Sequence, residues 1–111
     1  MCGITGVHFN NGKAEVFSAF AQNAVQTMFL RGPDLQRTCI TGNAILGHAR
    51  LSIIDLSTSA SQPFTDATGR YSLVFNGEFF NFMQHRQSLQ SKGFVFTSQS
   101  DTEVLLALYI D

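Results

Sequence analysis

Apolar residues along the chain fall into short blocks separated by turn signals, not into one long stripe. Residues 2–9 (CGITGVHF) mix β-branched and aromatic residues with glycines and predict a buried strand. Asn10-Asn11-Gly12 marks a turn. From Glu15 to Leu30, Phe17, Phe20, Ala24, Val25 and Met28 recur at helical spacing, which predicts an amphipathic helix with one face on a sheet. Gly32-Pro33 ends it, because the residue before a proline is pushed out of the helical region. Residues 37–41 (RTCIT) and 44–54 (AILGHARLSII) read as strands joined at Gly42-Asn43. Residues 56–69, rich in Ser, Thr, Ala and Gly, read as a loop, and 70–76 (RYSLVFN) as a strand ending at Asn76-Gly77. A helix is predicted over 79–91 with Phe79, Phe82, Met83 and Leu89 inward, stopping near Lys92-Gly93. Residues 94–97 (FVFT) follow as a short strand. Ser100, with Glu103 three residues on, then forms a capping box opening a helix through Val104–Ile110. There is no internal repeat, linker or low-complexity tract.

Composition narrows the class. The 111 residues are 44% hydrophobic and only 14% charged, which suits one folded domain and not a disordered chain. A formal net charge of −1 gives no electrostatic reason to expect nucleic acid or an anionic membrane surface as partner. Eleven Phe and no Trp make the aromatic load almost wholly apolar, so part of it must be buried or cover a partner. Cys2 and Cys39 do not make a disulfide framework, and no Cys/His spacing resembles a metal site. No apolar run approaches the roughly 20 residues of a membrane span, and the start is not a signal peptide. These features imply a cytoplasmic protein with reduced thiols.

Four polar groups stand at strand ends or helix starts, where binding groups concentrate. Cys2 becomes the N-terminal residue once Met1 is trimmed, and then carries a thiol and a free α-amine together. An unprotonated α-amine can serve as the thiol's own general base. Arg50 lies in an apolar strand, where a guanidinium wants a carboxylate, either from a ligand or from an internal Asp or Glu. Asn76-Gly77-Glu78 offers an amide and a backbone N–H, the material of an oxyanion hole, or else a plain Asn-Gly turn. Asp101 could bind a cationic amine or simply complement a helix start. Taken together they describe one ligand: an α-carboxylate for Arg50, an α-ammonium for Glu78 and Asp101, and a carbonyl for Cys2 to attack beside Asn76 and Gly77. Glutamine is the natural candidate.

At these residues the chain resembles the N-terminal glutaminase domain of class II glutamine amidotransferases, and within them glutamine-hydrolysing asparagine synthetase. The matching pieces are MCGITG at 1–6, RGPD at 31–34, GHARLSIIDLS at 47–57, QPF at 62–64, LVFNGEFFNF at 73–82 and SDTEVLL at 100–106, in the family's order. The resemblance implies an α+β fold of the N-terminal-nucleophile hydrolase type, a four-layer αββα sandwich of which these 111 residues would be the first half or so. It implies catalytic roles for Cys2, Asn76 and Gly77. Glutamine contacts would come from Arg50, Leu51, Ser52, Ile53, Ile54, Asn76, Gly77, Glu78 and Asp101. Neither metal nor cofactor is expected in this chain, ATP and Mg belonging to a separate C-terminal synthetase domain. L-glutamine and that domain are the expected partners, and a homo-oligomer is another way to cover Phe-rich surfaces.

Some positions depart from the family pattern. Leu30 stands where the family often has His before Arg-Gly-Pro-Asp, and Glu78-Phe79-Phe80-Asn81-Phe82 lacks two hydroxyls of the usual Glu-Ile-Tyr-Asn-Tyr. Leu35-Gln36-Arg37 replaces the acidic or glycine residues usual after Arg31-Gly32-Pro33-Asp34. His8 reads as a strand residue, His48 as structural beside Arg50, His85 as a surface helix residue and Cys39 as a small core hydrophobe. Two alternatives stay open: the same glutaminase serving a different acceptor, or an inactive partial domain acting as an interaction module.

Overall fold

The computed structural model describes residues 1–53 and 55–111. Its main sheet has three antiparallel strands, β1 (Gly3–His8), β2 (Leu35–Thr41) and β3 (Ala44–Arg50), in the order β1-β3-β2. The predicted turn at Gly42-Asn43 joins β2 to β3 and sets a register in which Thr38 faces Gly47, and Gly47 faces Thr5 on β1. Side chains alternate across a strand, so this row lies on one face. There Val25 of α1 (Ser18–Gln26) packs over Gly47 between Thr5 and Thr38, and is 1% exposed.

The first helix differs from its prediction. It opens as a 3-10 turn over Ala14–Phe17 and is α-helical only to Gln26, followed by turns. Its buried residues are Ala14, Ala21 and Val25, while Phe17 and Phe20 are exposed. Three residues per turn in the opening segment rotate the later face, and small alanines let the helix settle on the sheet. Phe17 instead stacks on Phe9, ring centroids 4.7 Å apart.

β3 stops at Arg50, short of the predicted 54, because β2 starts at Leu35 and β1 at Gly3, which leaves no ladder partners beyond. Leu51, Ser52 and Ile53 leave the sheet; Ile54 lies outside the described residues. The loop after it contains a 3-10 turn, Thr58–Ala60, and the strand β4 (Phe64–Thr65), which pairs with β5 (Ser72–Leu73). Asp66 closes that hairpin: its N–H donates to Tyr71 O (3.0 Å) and its Oδ1 accepts from Tyr71 N–H (2.7 Å). The predicted strand over 70–76 therefore forms a ladder only at its centre. Pro63 has no N–H with which to extend β4, and the N–H of Phe75 goes to the Gln62 side chain (2.5 Å).

Helix α2 (Phe82–Ser91) starts later than predicted, after a turn over 79–81, and packs on α3 (Asp101–Ile110). Leu89, Val104 and Ala107 form the core between them, flanked by Phe79, Phe82, Phe94, Phe96 and Leu108; Met83, predicted inward, is half exposed. Residues 94–97 form no strand. Phe94 and Phe96 turn into the helix cluster, and the N–H groups of Thr97 and Ser98 donate to the Glu103 carboxylate (2.8 and 2.7 Å). Glu103 is thereby diverted from the predicted capping box. Ser100 keeps its half, accepting from the Thr102 N–H at 3.1 Å. No described helix is long and apolar enough to cross a membrane.

Candidate active site

A cavity of about 330 Å³ opens between the end of β3 and the start of α3. Cys2, Arg50, Leu51, Ser52, Ile53, Asn76, Gly77, Glu78 and Asp101 all line it. Every sequence-predicted site residue among the described ones therefore meets at one place, from four separate stretches of chain; Ile54 lies outside the described residues.

The first wall comes from the sheet. Cys2 immediately precedes β1, whose Gly3 faces Ala49, so the ladder delivers the thiol beside the end of β3. The Leu51 N–H donates to Sγ at 3.3 Å, and the thiol lies 3.5 Å from Leu51 O. Met1 acylates the Cys2 nitrogen in the chain as it stands. Arg50 is buried and has neither an Asp nor a Glu as ion-pair partner among the described residues. Its Nη1 donates to Ser57 O (2.9 Å) and Ser61 Oγ (3.0 Å), and its Nη2 to Asp55 O. A guanidinium has five N–H donors, so these three bonds orient it while leaving two without an acceptor among the described residues.

The Arg-Gly-Pro-Asp segment braces this wall. The Arg31 Nε–H donates to Cys2 O (3.2 Å), Asp34 N–H to Arg50 O (3.0 Å), and Asp34 Oδ2 accepts from Ser52 N–H (2.7 Å). Gly32 lies against the strand so closely that a methyl there would fall 2.2 Å from the Ala49 carbonyl carbon. Only a residue without a side chain fits.

The second wall is a loop and a helix start. Asn76, Gly77 and Glu78 are exposed, and neither the Asn76 amide nor the Gly77 N–H has a partner among the described residues. Both are donors available to a ligand. A side chain at Gly77 would strike the Phe75 ring (2.8 Å). Asp101 opens α3, buried, with Oδ2 accepting from the Phe79 N–H at 3.0 Å. It thus serves the loop as well as the helix start.

Several residues around the cavity were not singled out by chemistry from sequence. Gln62 bridges Phe75 N–H and Thr102 Oγ1 (3.1 Å). Asp55 accepts from Ser57 N–H (2.7 Å) and Gln99 N–H (2.8 Å). Bonds from the Ser57 side chain and backbone, aided by Gln99, hold its pKa below the usual 3.8. The only available signal was membership of segments already noted as family motifs, Gln62 in QPF at 62–64 and Asp55 in GHARLSIIDLS at 47–57.

His48 also lines the cavity, on β3 two residues before Arg50, and is 1% exposed. Neither ring nitrogen meets hydrogen-bond geometry with a described group. Burial, with a smaller push from the Arg50 charge, lowers its pKa to about 4, against a partial offset from the Phe75 backbone. It is a neutral imidazole near pH 7. Of the others, His8 ends β1 exposed, His85 stacks on Phe79 (5.2 Å), and Cys39 is half-buried on β2. No group of His, Cys, Asp and Glu side chains among the described residues could hold a metal ion.

The family signature of a glutamine amidotransferase domain matches residues 1–111, the whole chain. This chain belongs to the glutamine amidotransferase family. It is 36% identical over 98% of its length to asparagine synthetase [glutamine-hydrolyzing] 1 of Bacillus subtilis, and 37% identical over 98% to asparagine synthetase B [glutamine-hydrolyzing] of Escherichia coli. It is likewise 36% identical over 98% to amidase chry2 of Gibberella zeae. The chain spans only 17–19% of the length of these relatives, in their N-terminal glutaminase region for the synthetases.

Proposed function

We propose that the cavity is a glutamine site and that this domain hydrolyses the side-chain amide of L-glutamine, releasing ammonia. The observation that carries this reading is the convergence of Cys2, Arg50, Asn76, Gly77, Glu78 and Asp101 on one cavity of a glutamine amidotransferase domain. With Met1 removed, the Cys2 α-amine takes the thiol proton and Sγ attacks the amide carbon. Asn76 and Gly77 donate to the oxyanion as it forms. The amine returns its proton to the leaving nitrogen, the C–N bond breaks, and ammonia departs. Water then hydrolyses the glutamyl thioester to glutamate and regenerates the thiol. The two unengaged N–H donors of Arg50 take the α-carboxylate, and Glu78 and Asp101 take the α-ammonium. Leu51, Ser52, Ile53 and Ile54 form the wall along the substrate.

In this reading the β1-β3-β2 sheet and the β4-β5 hairpin belong to the two facing sheets of an αββα sandwich. The ammonia would serve ATP-dependent amidation of aspartate by a synthetase domain outside these 111 residues, where ATP and Mg would bind. A cytoplasmic, reducing setting suits the free Cys2 and Cys39. A second reading keeps the glutaminase and changes the acceptor; the likeness to amidase chry2, at the same identity as to the first synthetase, favours it.

The test is glutamate and ammonia release by purified protein, with mass spectrometry of the N-terminus, beside Cys2→Ala. Protein lacking Met1 should hydrolyse glutamine, and Cys2→Ala should not. Activity surviving with Met1 in place would overturn the α-amine mechanism. A Met1-free protein that leaves glutamine intact would overturn the function.

A further inference from the structure

We infer that Gln62 is a positioning residue that holds the Asn76-Gly77 donors and Asp101 in one frame. This rests on the glutamine-site reading above. Gln62 is buried beside the cavity, and its amide spans the gap between two stretches 27 residues apart in sequence. Its Oε1 accepts from the N–H of Phe75, the residue before Asn76, at 2.5 Å. Its Nε2 donates to the hydroxyl of Thr102, the residue after Asp101, at 3.1 Å. The amide orientation follows from chemistry: a backbone N–H can only donate, so the oxygen must face Phe75.

The other end of the loop is tied to the same helix start. The Phe79 N–H donates to Asp101 Oδ2 at 3.0 Å. The segment Asn76-Gly77-Glu78 is therefore bracketed, with Phe75 held through Gln62 and Thr102, and Phe79 held through Asp101. Thr102 accepts from Gln62, and its hydroxyl lies 3.5 Å from Asp101 Oδ1, a weak contact at most, so Gln62 reaches Asp101 chiefly through the backbone that joins Asp101 to Thr102. A glutamine substrate would need its amide carbon at the loop and its ammonium at Asp101 simultaneously. Gln62 fixes the distance between those two points, and reacting groups displaced by about 1 Å lose on the order of 10²-fold in rate.

The experiment is steady-state glutaminase kinetics on Met1-free protein for Gln62→Leu, Thr102→Val and the double variant, with amide hydrogen exchange at Phe75 and Phe79. Gln62→Leu is expected to lower kcat at least tenfold and raise KM at least threefold, because both ends of the substrate lose their frame. Thr102→Val, which keeps the Phe75 bond, should mainly raise KM. The double variant should be no worse than Gln62→Leu, since contacting residues do not act additively. Exchange at Phe75 and Phe79 should both quicken in Gln62→Leu. The rate of Cys2 alkylation by iodoacetamide, set by the opposite wall, should stay within twofold.

A folded Gln62→Leu protein with kcat and KM within twofold of wild type overturns the inference. So does one in which only stability falls. If Gln62→Leu does not fold, the KM of Thr102→Val decides: unchanged, it overturns the coupling. If wild-type protein hydrolyses no glutamine, the functional reading fails. The exchange data then judge the bracket alone, and quickening at Phe75 without Phe79 refutes it.

Discussion

The two walls of the cavity are built by different physics. The wall carrying Cys2, Arg50 and Leu51 is the end of a three-stranded ladder, and backbone register alone brings Cys2 to the end of β3. The wall carrying Asn76, Gly77, Glu78 and Asp101 has behind it, among the described residues, only the two-pair β4-β5 ladder, which ends at Leu73, and none of these four residues is in a strand. It is held by single side-chain bonds: Gln62 to Phe75, Asp101 to Phe79, Glu103 to Thr97 and Ser98, and Asp55 to Gln99. Ladder bonds support one another, so losing one side chain there rarely moves the backbone. A strapped loop responds to each strap separately. The proposed nucleophile Cys2 and the proposed carboxylate ligand Arg50 thus sit on the stiff wall, and the proposed oxyanion and ammonium groups sit on the adjustable one.

The largest effect should come from the one place where the stiff wall has no slack. Gly32→Ala drives a methyl into the Ala49 backbone, so the strand or the Arg-Gly-Pro-Asp segment must separate. The expected loss is about 4 kcal/mol or more, the range of severe overpacking, read as a lowered urea midpoint or loss of soluble protein. A midpoint near wild type would mean that this wall is as adjustable as the other.

Asn76→Ala probes the second wall in the opposite way. Its amide has no structural partner among the described residues, so stability should barely change. Glutaminase kcat should fall by about 10²–10³, roughly 3–4 kcal/mol of barrier, with KM within about threefold. A large KM rise with kcat preserved would instead make Asn76 a ground-state contact.

How much of this was legible in sequence follows the same division. β1, the β2-β3 hairpin, α2 and α3 were readable because period and turn signals are local, as at Gly42-Asn43 and Ser100. So was the set of residues that line the cavity, Ile54 lying outside the described residues, because they sit in contiguous motifs. Errors arose where distant partners decide. Val25 is buried as its spacing predicts, but only the position of the sheet says that Ala21 is buried beside it while Phe17 and Phe20 stay exposed. The segment 94–97 has the β-branched and aromatic residues of a strand, yet Phe94 and Phe96 find α2 and α3 first. Glu103 has capping-box spacing, but Thr97 and Ser98 claim it. The Gln62–Thr102 strut joins residues 40 apart, for which no local pattern exists.

His48 lies on β3 in the stiff wall and gives a pH signature. Its pKa falls from 6.5 to about 4 on folding, so between those values the unfolded chain binds more protons than the folded one. Stability should therefore fall as pH drops from 6.5 towards 4 and lose no more from this group below that. The total is on the order of 3 kcal/mol. Asp55, whose pKa is lowered from 3.8, contributes stability that is lost only at still lower pH. Urea midpoints at pH 7, 5.5 and 4.5 should converge less in wild type than in His48→Leu, which lacks the titrating ring. Identical pH slopes in both proteins would place the origin elsewhere.

The smallest effect separates a cap from a strap. Ser100 Oγ accepts from the Thr102 N–H at the start of α3 and lies 3.4 Å from Asp101 Oδ1, a weak contact at most. If it acts only as an N-cap, Ser100→Ala should cost about 1 kcal/mol of stability and leave glutamine KM within twofold. Asp101 would still be held by the Phe79 N–H, and its neighbour Thr102 by Gln62. A KM rise comparable to that of Thr102→Val would mean that the helix start itself moves when uncapped. The adjustable wall would then include the first turn of α3, with the loop and the helix answering to the same bonds.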